Sequence, residues 1–213
     1  MNFTYKDYED MLERAHKEGY GFGKFNTALL PNPTIYLRHD VDLSPDRAHD
    51  MACLEYNLGV KSTYFFMDLS PMYDLYSRKT ISIIEHIISM GHSVGRHLTN
   101  EQVSQGGLYS FSSIFTTPVF SIHMPHERYF GNKMLPINTY NDDYFNKALY
   151  ISDSTGKFRF DNPLEAMDIN RNPQIHLSCH PLWYGSDTKR HKIDSILEGR
   201  ILELREYAKE ILC

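Results

Sequence analysis

Thr34-Ile35-Tyr36-Leu37-Arg38-His39-Asp40-Val41-Asp42-Leu43-Ser44-Pro45 changes character three times in twelve residues. Asn32-Pro33 breaks the chain, and Thr34 to Leu37 then forms a short apolar, β-prone run that reads as a buried strand. The strand runs straight into charged residues, and Ser44-Pro45 opens a helix with an N-cap hydroxyl and a proline at N1. Apolar Ala48, Met51, Ala52 and Cys53 give that helix an inward side, and Gly59 ends it.

The same grammar recurs downstream. Val60 to Met67 reads as a strand, followed by a helix from about Ser77 with Ile81, Ile84, Ile87 and Ile88 inward and Gly91 as its stop. A short strand ends near His97, and a polar helical stretch is expected around Thr99 to Phe115. Further strands are expected at Val119–Ile122, Leu149–Ser152 and Ile175–Cys179. Asp7–Lys17 reads as an N-terminal helix, and Ile193 to Ile211 as a long amphipathic C-terminal one. Alternating strands and helices imply an α/β domain with a mostly parallel sheet, open or closed into a barrel, over residues 1–213.

In parallel α/β folds functional groups gather at the carboxyl ends of the strands. Here those ends carry His39, Asp40 and Asp42, then His97, His123, Asp153 and His180. Alternation in an extended segment puts Asp40 and Asp42 on one side and Val41 on the other. Two carboxylates so close repel unless a cation or a shared proton compensates. With histidine nearby, a divalent metal is the simplest compensation, and zinc accepts mixed imidazole and carboxylate ligands. The structural alternative, in which Asp42 caps the following helix, is weakened because Ser44 already supplies that cap.

Composition narrows the function classes. The 213 residues carry a net charge of -5, which argues against a dedicated nucleic-acid binder. Cys53, Cys179 and Cys213 are far apart and odd in number, with no Cys-x-x-Cys pair, so neither a disulfide framework nor a zinc knuckle is expected. No signal peptide or transmembrane run is read at the N-terminus or elsewhere, and a cytoplasmic location is the expectation.

Tyr36-Leu37-Arg38-His39-Asp40-Val41-Asp42, Gly59-Val60-Lys61-Ser62-Thr63-Tyr64-Phe65-Phe66 and Gly91-His92-Ser93-Val94-Gly95-Arg96-His97 together resemble the polysaccharide deacetylase family. This is the NodB-homology, carbohydrate esterase 4 group, and the match is to its branch with an R-H-D-V-D first motif. Phe120-Ser121-Ile122-His123-Met124-Pro125, Tyr150-Ile151-Ser152-Asp153-Ser154 and Cys179-His180-Pro181-Leu182-Trp183 follow in the family's order. The resemblance implies a distorted (β/α) barrel of about seven strands and metal-dependent removal of an acetyl group from a sugar. It further implies Asp40 as general base, Asp42 and His97 as metal ligands, His180 as general acid and Asp153 as the residue that orients it.

Three departures from the family pattern matter. Where a second histidine ligand is usual, four residues after His97, this chain has Glu101, which is either the third metal ligand or a surface helix residue. His123-Met124-Pro125 replaces an Arg-Pro pair that holds the base, so Arg38 or Arg128 is expected to take that task and His123 to lie on the substrate side. Arg96 precedes His97 where a small or apolar residue is common. Trp183 and Tyr184, beside His180, are candidates for stacking on a sugar ring, whereas His92 and His176 read as structural. The expected substrate is a sugar or a surface-polysaccharide precursor. The rivals are a degenerate sugar-binding protein and a hydrolase of another amide or O-acyl ester.

Overall fold

The computed structural model describes residues 2–25, 30–31, 33–105, 114–131, 138–185 and 189–212. Much of the expected helix after Thr99, and Cys213, lie outside them. The architecture is mixed α/β: a curled parallel sheet forms a half-barrel with helices packed outside it.

The strands are β1 (Gly21–Gly23), β2 (Thr34–Val41), β3 (Thr63–Met67), β4 (Ser93–Leu98), β5 (Ser121–Ile122), β6 (Leu149–Ser152) and β7 (Gln174–Cys179). Six run in the order β5-β4-β3-β2-β7-β6, and the short β1 pairs with β2 off this path. Among the described residues every pairing between these strands is parallel. One edge of β2 is shared, since Thr34 to Tyr36 pair with β1 and Arg38 to Val41 pair with β3. Among the described residues the ladder does not close between β5 and β6, so the expected barrel is realised as a half-barrel.

β2 is buried at all eight positions, as a central strand covered on both faces must be. Its two faces meet different surroundings. Ile35 and Leu37 join one helix-side cluster with Met11, Leu12 and Met51, and Val41 joins another with Ala48, Ile84 and Ile87. Tyr36 faces the concave interior with Phe25, Phe65, Val119 and Tyr144. Gly95 on β4 admits the Phe65 ring into this interior, because a Cβ there would lie 2.7 Å from two ring carbons.

The helices are α1 (Tyr5–Lys17), α2 (Pro45–Asn57), α3 (Arg78–Ser89), α4 (Asn100–Ser104), α5 (Asp142–Phe145), α6 (Pro163–Ala166) and α7 (Lys189–Leu212). Ser44 caps α2 by accepting from the Arg47 amide at 3.3 Å, and Ser77 caps α3 in the same way. α7 departs from expectation. It approaches the body between Ser195 and Glu203, through contacts such as Arg47 to Ser195 Oγ at 3.2 Å and Lys79 to Glu203 at 2.8 Å. Leu204 and Ile211, part of the apolar pattern that marks this helix as amphipathic in the sequence, are 50% and 64% exposed. Among the described residues no helix is long and apolar enough to cross a membrane.

Candidate metal centre at the strand ends

The parallel registers bring five strand exits to one end of the sheet. His39 of β2 lies level with Cys179 of β7, Met67 of β3 with His97 of β4, and His97 with Ser121 of β5. The residues just beyond these positions therefore converge on the mouth of the half-barrel. They line a cavity of about 560 Å³ that contains Asp40, Asp42, His97, His123 and His180.

Asp42, His97 and His123 offer ligand atoms that all lie within 4.8 Å of one another. Asp42 Oδ1 is 3.1 Å from His97 Nε2 and 3.4 Å from His123 Nδ1, and the two ring nitrogens are 3.2 Å apart. His97 Nδ1 meets Ser121 Oγ at 2.6 Å, which fixes the ring and leaves Nε2 for the centre. Buried Asp42 Oδ1 has no hydrogen-bond donor assigned to it among the described residues. An orphaned carboxylate oxygen aimed at two imidazole nitrogens fits a divalent cation, and these three residues could hold one. Burial disfavours the Asp42 charge, yet the His123 and His97 contacts hold its carboxyl well below the usual range. Ser70 Oγ donates to the Asp42 carbonyl and Tyr73 Oη to that of Val41, both at 2.7 Å, so the backbone beneath the centre is tied down.

His123 thus stands where Glu101 was expected. Thr99 caps α4 in a reciprocal capping box with Gln102, so Glu101 enters the first helical turn and lies exposed, outside the triad. Asn100, beside it, reaches across the loop: its Nδ2 donates to the Met124 carbonyl at 2.9 Å and its Oδ1 accepts from the His126 amide at 3.0 Å. Met124 has φ 45°, a backbone conformation costing about 1–3 kcal/mol in a non-glycine residue, and this tether helps hold it. The reversal at Met124 follows His123 directly and accompanies its approach to Asp42.

Arg38, one of the two arginines expected to hold Asp40, does so. Its Nε and Nη2 donate to the two Asp40 oxygens at 2.8 and 2.6 Å, and its Nη1 donates to Thr139 Oγ1 at 2.7 Å. Alternation along β2 puts both side chains on the same face. Arg38 is fully buried, with its guanidinium 4.7 Å from the Tyr140 ring centroid. Burial opposes the Asp40 charge, but the Arg38 guanidinium overrides it and holds the carboxyl well below the usual range. Arg128 instead lies over the Tyr129 ring.

His180 and Asp153 form a dyad. Asp153 Oδ1 accepts from the His180 amide at 2.9 Å and meets its Nδ1 at 2.6 Å, so the ring is oriented twice by one carboxylate. Nε2 then faces the centre, 3.8 Å from Asp40 Oδ2 and 4.0 Å from Asp42 Oδ2. Burial alone would lower the His180 pKa, but Asp153, helped by Asp40 and Asp42, raises it to about 9.

The two aromatic candidates beside His180 take no part. A short 3-10 turn over Pro181–Trp183 leads the chain away from the cavity. Tyr184 is fully buried, edge-on to Tyr8 and Phe3, and Trp183 packs against the same core cluster. The cavity wall is built instead by Phe130, Tyr140, Tyr150 and Phe160, with Arg159 at its edge. Tyr150 and Ser152 alternate on β6 towards this side, a signal the sequence carried. Phe160 carried none, since it is placed by a bridge between Ser152 and Arg159 and has φ 75°.

No protein-family model matches the chain, and no curated protein or solved structure matches it significantly. The functional reading therefore rests on residues and their geometry. One consequence is direct. Ser121→Ala removes the partner of His97 Nδ1 and is expected to weaken divalent-ion affinity by roughly 10–100-fold, read by competition with a metal indicator. Unchanged affinity would show that Ser121 does not orient the ligand.

Proposed function

We propose that this protein is a metal-dependent hydrolase that removes an acyl group, foremost an N-acetyl group, from a sugar or polysaccharide precursor. The observation that carries the reading is His180, oriented by Asp153 and aimed across the cavity at the Asp40 and Asp42 carboxylates beside the Asp42-His97-His123 triad. Resemblance of the ordered strand-end motifs to the polysaccharide deacetylases supports the same conclusion.

A divalent ion held by Asp42, His97 and His123 would polarise the acyl carbonyl and acidify water at the centre. Asp40, kept ionised and immobile by Arg38, is placed to accept the proton of the attacking water. His180, protonated at neutral pH, donates from Nε2 to the departing nitrogen, so the C–N bond breaks to a neutral amine. Asp153 stabilises the imidazolium before that transfer and holds the ring afterwards. The aromatic wall of Tyr150 and Phe160, with ring centroids 5.3 Å apart, offers an apolar face to a sugar ring.

The rival of a sugar-binding protein without turnover draws on one specific feature: both Asp40 oxygens already accept hydrogen bonds from Arg38. Acetate release separates the two. Metal-stripped protein is reloaded with zinc, cobalt or manganese and offered N-acetylated amino-sugar oligomers, O-acetylated sugars and small acyl amides. One ion at the strand-end centre is expected, with acetate released from the N-acetylated sugars, and Asp42→Ala is expected to lose both that ion and the release. Bound ion with sugar binding and no release from any substrate would overturn the enzymatic reading, and absence of ion binding would overturn the metal centre itself.

A further inference from the structure

Three metal-capable side chains lie together on the outer faces of α2 and α3, away from the strand-end cavity. His49 and Cys53 sit one helical turn apart on α2, and His86 lies beside them on α3. His49 Nε2 is 2.6 Å from His86 Nδ1, and Cys53 Sγ is 3.8 Å from His49 Nε2. The imidazole ring centroids are 4.8 Å apart. His86 is exposed, and His49 and Cys53 are half-buried, so solvent reaches the cluster without any opening of the fold.

We propose that His49, Cys53 and His86 form a second metal site, peripheral to the strand-end centre, for a late first-row divalent ion of the zinc class. The donor set decides the ligand. Two imidazoles and one sulfur suit zinc and its neighbours, whereas magnesium and calcium demand oxygen ligands, which the three donors do not include. An i,i+4 pair on one helix presents two donors on one face; His49 touches both of the others, and a turn of the Cys53 side chain towards His86 would complete three protein ligands with solvent free to supply the rest. In the free protein the sulfur is a thiol, since burial and Asp50 both raise its pKa. Ion binding therefore forms a metal–sulfur bond and releases one proton to solvent, with no change of oxidation state. Once filled, the site would tie α2 to α3 on the face opposite the sheet.

Cobalt titration of the metal-stripped full chain tests this. A thiolate-to-cobalt charge-transfer band in the near ultraviolet is expected, because neither His nor carboxylate ligands at the strand-end centre can produce one. Cys53→Ser is expected to abolish the band, and His86→Ala to weaken the cobalt affinity that it reports by at least roughly 10–100-fold. Asp42→Ala, which empties only the strand-end centre, is expected to leave the band intact. A band that survives Cys53→Ser, or cobalt binding with no band, would overturn the site. So would a protein that takes up no cobalt at all.

Discussion

The His180→Ala substitution is expected to lower kcat for acyl release by about 10²–10⁴ while leaving ion binding intact. The ring touches none of the three ligands closely: its Nε2 is 4.0 Å from Asp42, and its Nδ1 is committed to Asp153. Loss of the ring therefore removes the proton donor without dismantling the centre. The pH profile gives a second readout. The folded-state pKa of His180 is raised to about 9, so its acid form is full below that pH and is lost as pH rises through it. A cation at the triad offsets the pull of Asp42, so the loaded protein should turn over its basic limb somewhat lower. Asp153→Asn removes the dominant raising partner and is expected to shift that limb further towards neutrality. Equal loss of ion binding and activity in His180→Ala, or a basic limb unmoved by Asp153→Asn, would refute the assignment of His180 as acid.

Glu55 is the second large effect, and it concerns the fold rather than the chemistry. This fully buried carboxylate of α2 accepts from Tyr8 Oη, from Ser62 Oγ at 2.6 Å and from Tyr64 Oη at 2.9 Å, and it meets His39 Nε2 at 2.6 Å. His92 lies 3.5 Å away on the other oxygen. It thus pins α1, α2, β2, β3 and the start of β4 through one group. Glu55→Ala strands its partners in the core and is expected to cost about 3–5 kcal/mol. At roughly 2–4 °C per kcal/mol for a chain of this size, Tm should fall by about 6–20 °C. Burial alone would raise the Glu55 pKa, but His39 outweighs it and the folded value drops from 4.5 to about 2. A depressed folded pKa means the stabilisation is fully present above pH 4.5 and is lost as pH falls towards 2. Thermal melts from pH 6 down to about pH 3 should show this slope in the native protein and a smaller one in Glu55→Gln. Parallel slopes in the two would remove Glu55 from the explanation.

Much of the site could be read from local periodicity, and what could not depends on contacts distant in sequence. Asp40 and Asp42 share a face with Arg38 because an extended chain repeats every second residue, so the carboxylate pair and its arginine were both accessible. Ser44-Pro45 located the start of α2 to the residue. β1 is not legible in the sequence because Gly21-Phe22-Gly23 has no pattern, and only pairing with β2 makes it a strand. Glu101 is the residue that the family resemblance puts at a ligand position, four residues after His97, but in this strand-to-helix turn the cap at Thr99 leaves it exposed outside the triad. His123 came to the centre with a strained residue and an Asn100 tether whose partners lie 24 and 26 positions away. Trp183 and Tyr184 neighbour His180 in sequence, yet the turn at Pro181 packs them against a core cluster elsewhere.

The strand order gives the site a seam. β3, β4 and β5 lie on one side of β2 and carry His97 and His123, while β7 and β6 lie on the other and lead into His180 and Asp153. The two candidate metal-ligand imidazoles and the His180-Asp153 dyad thus stand on opposite sides of a single strand. The approach of His180 to Asp40 and Asp42 depends on one ladder, the six-residue pairing of β2 with β7 from Thr34–Gln174 to His39–Cys179. A shear along that ladder would move His180 relative to Asp42 while leaving untouched the β2–β3–β4 pairing that brings His97 beside Asp42. The proposed acid and the candidate metal ligands are therefore positioned by separate ladders, so a substitution in β7 is expected to disturb the first without the second.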